Sequence, residues 1–433
     1  MYNTISHCCA LAIFGHAKCI GLYNCDKVPS ALYVFLKLST GESMKLEAVK
    51  IENYKALREV SVDDLTSLAA FVGANGAGKS SLFDALVFLH DCLSRGVAEA
   101  ASMRGGFREI VSRGSCGPIA ITIKFRGSKK EPVLTYRVEL SCDDFGEAYV
   151  ALEQLRLRKG SSGSPWIVLD IREGQGWALR GVPESYPSVS KEKESIELSS
   201  PRTLAVDSLG QLSDYPLESS LRALINNWFV VAPTSIHHDA DRPSSTAQFF
   251  STRGMAKVAR RLWAHNPKAF ENIVRSMSRR INGVDNIAVQ PLPNGEVHLL
   301  FGDRSLNASF PQESVSDGTL RLFSYLLLLA EVNPSSLLCI EEPEGLLHPD
   351  LLPVLMEELQ RYADRGGQVL VSTHSPLVLD SLKPDQVYAL VKYGGFSQVK
   401  RVSQMPITVS LYREGNKLGS LWEMGLIPEA SCL

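Results

Sequence analysis

Net charge is almost absent from this sequence. Across 433 residues, 45 Lys+Arg stand against 47 Asp+Glu, a formal charge of −2. Such a chain has no bulk field to hold a polyanion, so any nucleic-acid contact has to come from a local patch. Long apolar runs are also missing. Ala10 to Phe14 is short, and Ala31 to Leu38 is interrupted by Lys37. Neither approaches the roughly 18 residues of a membrane span, and neither follows the basic-then-apolar order of a signal peptide. No CxxC pair exists, and the nine cysteines are widely spaced. That excludes a disulfide framework and points to unpaired thiols in a reducing cytoplasm. There is no internal repeat and no heptad run long enough for a coiled coil. What is present, 45% hydrophobic and 21% charged residues, is globular composition. The length suits two or three domains, or one large α/β unit with insertions.

Residues 1–43 stand apart. Cys8, Cys9, Cys19 and Cys25 crowd into them, while only five cysteines occupy the other 390 positions. With His7 and His16 they suggest zinc, but the spacing fits no standard ligand pattern. Met44 opens directly into an alternating strand, so residues 1–43 are read as an N-terminal extension upstream of a native start at Met44, adding nothing to function.

From Met44 the pattern is readable. Lys45 to Glu52 alternates as a strand, and Ser67 to Val72 is an apolar run ending at glycine. Ser80 to Leu93 has helical apolar spacing. Runs at 118–125, 132–140, 149–157 and 166–171 read as strands separated by turns. Ser188 to Ser213, rich in Ser, Pro and charge, reads as a surface loop. Helices follow at 217–227 and 254–281, the second interrupted by Pro267. Arg260, Arg261, Arg275, Arg279 and Arg280 lie in it, a solvated face by default and a phosphate-contacting one in the functional alternative. A hairpin is expected at 287–301 around Pro293-Asn294-Gly295. The rest alternates between helix and buried strand, with strands at 337–340, 368–372 and 386–390. This predicts a mostly parallel sheet covered on both faces.

Four motifs carry chemistry. Gly73-Ala-Asn75-Gly76-Ala77-Gly78-Lys79-Ser80 matches the P-loop, between a strand and a helix. Its glycines let successive N–H groups turn towards phosphate oxygens. The helix N-terminus adds its positive dipole end. Lys79 would reach the β- and γ-phosphates, Ser80 would ligate Mg²⁺, and Ser81 would touch the α-phosphate. In Leu337-Leu-Cys-Ile-Glu341-Glu342-Pro343-Glu344 an apolar strand ends in carboxylates, where open α/β sheets place ligands. Adjacent strand residues face opposite ways, so Glu341 is assigned to the Mg²⁺ shell and Glu342 to polarising the attacking water. Val369 to Ser372 ends at Thr373-His374, and His374 is assigned to the γ-phosphate or the water. Ser316-Asp317-Gly318-Thr319 is an ordinary N-cap before an apolar helix. It also offers a helix end to a second molecule's γ-phosphate.

These four motifs, in this order, resemble the ATP-binding heads of the ABC/SMC/RecF class, and within it the RecF-like and OLD-like ATPases, over roughly Met44 to Val402. Glu-Glu-Pro-Glu at 341–344, Leu347-His348-Pro349 and Ser-Thr-His-Ser-Pro at 372–376 carry the likeness. The resemblance implies that Gly73 to Ser81 are Walker A and that Glu341 and Glu342 end Walker B. It implies that Ser316 to Thr319 are the signature, with Ser316 and Gly318 touching nucleotide, and that His374 is the switch histidine. It further implies ATP and Mg²⁺ as ligands and a homodimer sandwiching two ATP molecules. Departures exist. Glu341 replaces the usual Asp, and no clear Q-loop glutamine stands out, Gln154 being a weak match on a strand. The insert is too short for SMC-type arms, and the 31 residues after Val402 are too few for an OLD-type nuclease. The transporter string Leu-Ser-Gly-Gly-Gln is absent.

The expected fold is therefore α/β, a P-loop ATPase head of ABC/SMC type with an antiparallel β-subdomain and a helical insert. Residues 44–186 would form the Walker A lobe, 187–285 the linker and insert, and 286–433 the lobe with signature, Walker B and switch. Three roles stay open: a DNA-repair or genome-maintenance ATPase in contact with DNA, a regulator of a separate effector protein in a prokaryotic defence system, and a scaffold with negligible turnover. No membrane partner is expected. His237-His238-Asp239 and Asp241 are read as solvated surface, with a metal cluster as the alternative.

Overall fold

The computed structural model describes residues 44–126, 132–158, 164–181, 193–231, 252–292, 297–330 and 337–428. The 1–43 extension with its His and Cys residues, the 237–241 cluster and the 293–295 turn lie outside these.

Along the chain, β1 (Lys45–Tyr54) and β2 (Leu57–Val62) form a hairpin, followed by β3 (Leu68–Val72) and α1 (Lys79–Arg95). Two short helices, α2 (Val97–Ser102) and α3 (Phe107–Ile110), lead to β4 (Ile119–Arg126). Next come β5 (Val133–Cys142), β6 (Ala148–Arg158), β7 (Trp166–Arg172), β8 (Gln175–Leu179) and β9 (Lys193–Glu197). Helices α4 (Ala205–Leu209) and α5 (Pro216–Asn226) precede β10 (Trp228–Val231). Then α6 (Thr252–His265) and α7 (Pro267–Arg280) meet at Asn266, whose side chain caps α7 by accepting from Ala269 N–H. Strands β11 (Asn286–Pro291), β12 (Val297–Asp303) and β13 (Ala308–Pro311) make a small antiparallel sheet. The final stretch is α8 (Asp317–Leu329), β14 (Leu337–Glu341), α9 (Leu352–Asp364), β15 (Val369–Ser372), α10 (Pro376–Asp380), β16 (Val387–Tyr393), β17 (Phe396–Arg401), α11 (Pro406–Arg413) and α12 (Leu418–Glu423).

These elements divide into two compact units. One contains Lys45–His90, Arg108–Ile121 and the chain from Asn227 onward; the other contains Asp91–Phe107 and Thr122–Asn226. The first is built on a six-stranded sheet ordered β10-β14-β15-β3-β16-β17, parallel but for the antiparallel edge strand β17. Every residue of β3 and β15 is buried, as the unbroken apolar runs require of strands covered on both faces. Helix α8 is buried from Thr319 to Leu329 on all sides. Each such leucine contributes about 2 kcal/mol relative to exposure. Its one buried charge, Arg321, lies over the Tyr325 ring and donates from Nε to the Tyr325 hydroxyl at 3.3 Å. Gln368, fully buried, ties β1 to the start of β15: it donates to Leu46 O at 2.8 Å and accepts from Leu46 N–H at 2.7 Å.

The second unit carries the strands β5 to β9 as an antiparallel meander. The stretch 188–213, expected as loop, contains β9 and α4. The reason is a residue far away in sequence. Glu153, buried in β6, accepts from Ala205 N–H at 2.5 Å and Val206 N–H at 2.9 Å, and from the Tyr136 hydroxyl at 2.7 Å. A distant carboxylate thus supplies the N-terminal acceptor that local sequence lacks. In the same unit Glu218 is fully buried in the first turn of α5. Neither of its carboxyl oxygens has a partner among the described residues.

Burial pushes Glu153 up to about 7 and Glu218 up to about 8, from 4.5 for an ordinary glutamate. Between those values the folded chain keeps protons that the unfolded chain has released. The stability these groups contribute is full below about pH 4.5 and is lost as pH rises towards about 8. The melting temperature is therefore expected to fall across that window. Glu218→Gln, which cannot titrate, should flatten the fall in thermal denaturation; an unchanged slope would show that Glu218 does not contribute.

Candidate functional site

Register decides where the chemistry goes. Glu341 of β14 pairs with Ser372 of β15, and Ser372 pairs with Phe71 of β3. Three neighbouring parallel strands therefore end level, and their next residues leave from one edge: Gly73, Glu342 and Thr373-His374. The Walker A, Walker B and histidine strings meet there.

The loop after β3 is held tightly. A Cβ on Gly73, at φ +149°, would lie 2.2 Å from Leu390 O. One on Gly78, at φ +105°, would lie 2.2 Å from Ser397 Oγ. Only glycine fits either position. Asn75 and Gly76 form the exposed tip. Ala77 is buried, and its carbonyl accepts from Ser397 Oγ at 2.6 Å. The Lys79 side chain is 5% exposed and donates from Nζ to Gly73 O at 2.7 Å and Ala74 O at 3.2 Å. The ammonium is thereby fixed inside the curl of the loop at the start of α1. Ser80 is exposed and Ser81 half-buried.

Burial pushes Glu341 up to about 7, the charges of Asp84 and Glu342 push the same way, and the neighbouring Ser80 hydroxyl pulls it down. Glu341 thus sits where a cation would relieve it. A hydroxyl and a carboxylate side by side are the hard oxygen donors that suit Mg²⁺. Among the described residues no group of three or more His, Cys, Asp or Glu is placed to hold a metal.

Glu342 follows the strand with a left-handed backbone at φ +45°, and its N–H donates to Ser372 O at 2.9 Å. Its Oε1 lies 3.6 Å from His374 Nε2. Both side chains are part-exposed, at 40% and 31%, so both can meet a ligand.

Sequence reasoning missed three supporting residues. Glu344 accepts from the Thr373 hydroxyl at 2.8 Å and from His374 N–H at 2.5 Å through Oε1; its Oε2 is buried without a partner among the described residues. Thr373 N–H donates to Phe71 O at 3.1 Å, so the histidine turn is fastened to both Walker strands. Asp84, one turn into α1, accepts from the Tyr54 hydroxyl at 2.6 Å and Lys55 Nζ at 2.5 Å. Ser397 props the phosphate loop from β17. The string Glu-Pro-Glu carried a signal for Glu344; nothing local marked Asp84 or Ser397.

The signature string stands at the start of a different element. Ser316 caps α8, its Oγ accepting from Thr319 N–H at 3.4 Å and lying 2.9 Å from Thr319 Oγ1. Gly318 is the second residue of that helix. Gln154 lies on β6, where its amide nitrogen donates to Asp170 at 2.8 Å and its oxygen accepts from Arg156.

The family described as "AAA domain, putative AbiEii toxin, Type IV TA system" matches residues 68–380. The chain belongs to that AAA family. It is a P-loop ATPase of the ABC/SMC/AAA class. A search of curated proteins finds no match. Among solved structures, the AAA chain is similar to an SMC head bound to the C-winged helix domain of ScpA, at 15% identity and TM-score 0.50, over 82% of this chain and 97% of that one. That likeness shows an SMC-head fold. The SMC head domain from Thermotoga maritima matches at 14% identity and TM-score 0.41, over 83% and 99% of the two chains. A Pyrococcus furiosus Smc head, bound to the C-terminal domain of ScpA, matches at 12% and 0.48, over 86% and 100%. No helix among the described residues of the AAA chain is long and apolar enough to cross a membrane.

The glycines give a direct test. Gly73→Ala should weaken binding of a fluorescent ATP analogue at least about tenfold, since a backbone carbonyl blocks the new Cβ. Gly76→Ala, with nothing within 4 Å of its Cβ, should cost only the left-handed strain of about 1–2 kcal/mol. The reverse order would exclude the loop as the phosphate cradle.

Proposed function

We propose that this chain hydrolyses ATP to ADP and phosphate, and that ATP closes two copies into a homodimer which hydrolysis reopens. One observation supports the reading: Glu341 with Ser80 next to it, and Glu342 with His374 at 3.6 Å, come together at the mouth of a glycine loop, where Ser80 and Glu341 would serve as a Mg²⁺ donor pair. Backbone N–H groups from Gly73 to Ser81 would hold the phosphates, and Lys79 would leave its carbonyl partners for the β- and γ-oxygens. Bound Mg²⁺, held by Ser80 and Glu341, would supply neutralisation of phosphate charge. Glu342 polarises the attacking water, and His374, adjacent to it, keeps that carboxylate and the γ-phosphate in line. Ser316 and Gly318, at the end of α8, would meet the γ-phosphate held by the other copy.

The cellular role we favour is DNA-associated, in repair or genome maintenance in the cytoplasm. A second reading, a regulatory ATPase that controls a separate effector protein in a prokaryotic defence system, is supported by the family description, which names a toxin system. Pull-down of the Glu342→Gln form with ATP, identifying DNA or protein, separates the two.

Glu342→Gln should lower turnover about 10²–10⁴-fold, while ATP-dependent dimerisation, read by light scattering, persists or strengthens. Equal turnover in variant and wild type would remove Glu342 from the mechanism. Glu344→Ala frees the Thr373-His374 turn and should lower kcat by about tenfold or more with a smaller change in KM. Glu344→Gln, which retains one acceptor oxygen, should recover part of that loss in steady-state ATP hydrolysis.

A further inference from the structure

A groove away from the phosphate loop lies among three helices. It has a volume of about 750 Å³ and runs between α7, α8 and α9. Its floor includes Ile273, Leu326 and Leu329, and its walls carry Arg275, Arg279, Arg280, Arg361 and Arg365 with a single carboxylate, Glu358. The chain leaves β14 at the Glu341 end and has to return before β15 can begin. The C-terminal end of α9, which bears Arg361 and Arg365, therefore lies at the opposite edge of the sheet from the ATP site.

The arginines differ in how far they are compensated. Arg361 is paired, at 2.7 Å with Glu358 and 3.7 Å with Glu357. Among the described residues Arg365 meets neutral groups, donating to Leu329 O and lying 6.0 Å from the Tyr362 ring centroid. Arg280 donates to the Ser276 hydroxyl and carbonyl. Arg275 and Arg279 are exposed, and no described residue pairs with either guanidinium. They stand one turn apart on the same face of α7, about 5–6 Å between Cβ atoms. Four cationic groups with no acidic partner among the described residues thus converge on one open groove, in a chain whose net charge is −2. Like charges held together in this way repel, and an anion lying between them relieves that repulsion.

We propose that this groove binds the phosphodiester backbone of a nucleic acid. The proposal deepens the DNA-associated reading above and rests on it. Guanidinium forks match phosphate oxygens in pairs. A row of them without a recognition element fixes a backbone and does not read bases. Binding is accordingly independent of sequence. Its logarithm falls with the logarithm of salt with a slope of about −3 to −4 for four phosphate contacts on duplex DNA. The Arg260 and Arg261 guanidiniums of α6 are not part of the groove, whereas Arg361 and Arg365, from a helix that sequence alone did not single out, are.

The test is fluorescence anisotropy of a labelled random-sequence duplex across a NaCl series, using the full chain with and without ATP, with ATP hydrolysis measured in parallel. Wild type should bind with the slope given. The double variant Arg275→Glu plus Arg279→Glu should bind at least about tenfold more weakly, its slope shallower by about two. Lys392→Glu plus Arg413→Glu, an equal charge change outside the groove, should bind as wild type does. Circular dichroism checks that each variant is folded. If the groove variant binds like wild type, or if polyglutamate displaces wild type more strongly than unlabelled duplex does, the proposal falls. Salt-dependent binding lost in the groove variant of a chain that hydrolyses no ATP would sustain the groove and remove the ATPase reading. ATP-stimulated binding unaffected by the groove variant would do the opposite.

Discussion

The in-register parallel pairing of β14, β15 and β3 is the constraint on which the rest depends. Strand hydrogen bonds hold Glu341, Ser372 and Phe71 level. The chain segments that follow therefore exit together, and each begins a polar turn at the same edge. A slip of one residue along β14 would exchange Glu341 and Glu342 and turn the Mg²⁺ candidate away from Ser80. The surrounding burial makes that slip costly, since all four apolar residues of β14 would change sides. Packing of the core and accuracy of the site are one property here.

A second layer of support comes from the end of the chain. Strands β16 and β17 complete the sheet beside β3, and Leu390 and Ser397 from them close on the glycines of the phosphate loop. The loop has a single allowed path because its neighbours leave no room for a side chain. Glu344 does the equivalent for the histidine turn, spending one oxygen on Thr373 and His374. Such fixed donors and acceptors cost no reorganisation when a ligand arrives, which is how an active site gains from rigidity.

Much of this was legible from local pattern. The glycine spacing, the apolar strand ending in Glu341-Glu342 and the N-cap at Ser316 depend on residues a few positions apart, and sequence shows those directly. The antiparallel meander was partly legible, since β5, β6 and β7 alternate, but β8 and β9 were missed because each is only five residues long, and β9 is mostly charged and polar. Helix α4 was missed because its capping carboxylate, Glu153, is about fifty residues away. Asp84 and Ser397 were missed for the same reason: their partners come from other strands. The arginines of α7 were visible, but their meeting with α9 was not.

By itself the sequence determined the chemical groups and their local order: a phosphate loop on a strand-to-helix turn, carboxylates at a strand end, a histidine after the next strand, and a composition with no net charge. It did so because backbone preference and side-chain period act over a few residues. Only the tertiary structure decided which groups share a site. Walker A and Walker B are about 260 residues apart in the chain and become neighbours because β15, which follows β14, inserts between it and β3. The same packing gathered positive charge from two helices into one groove of a chain that is neutral as a whole. Burial and strand pairing are long-range selections among many possible partners, and no local pattern encodes their outcome.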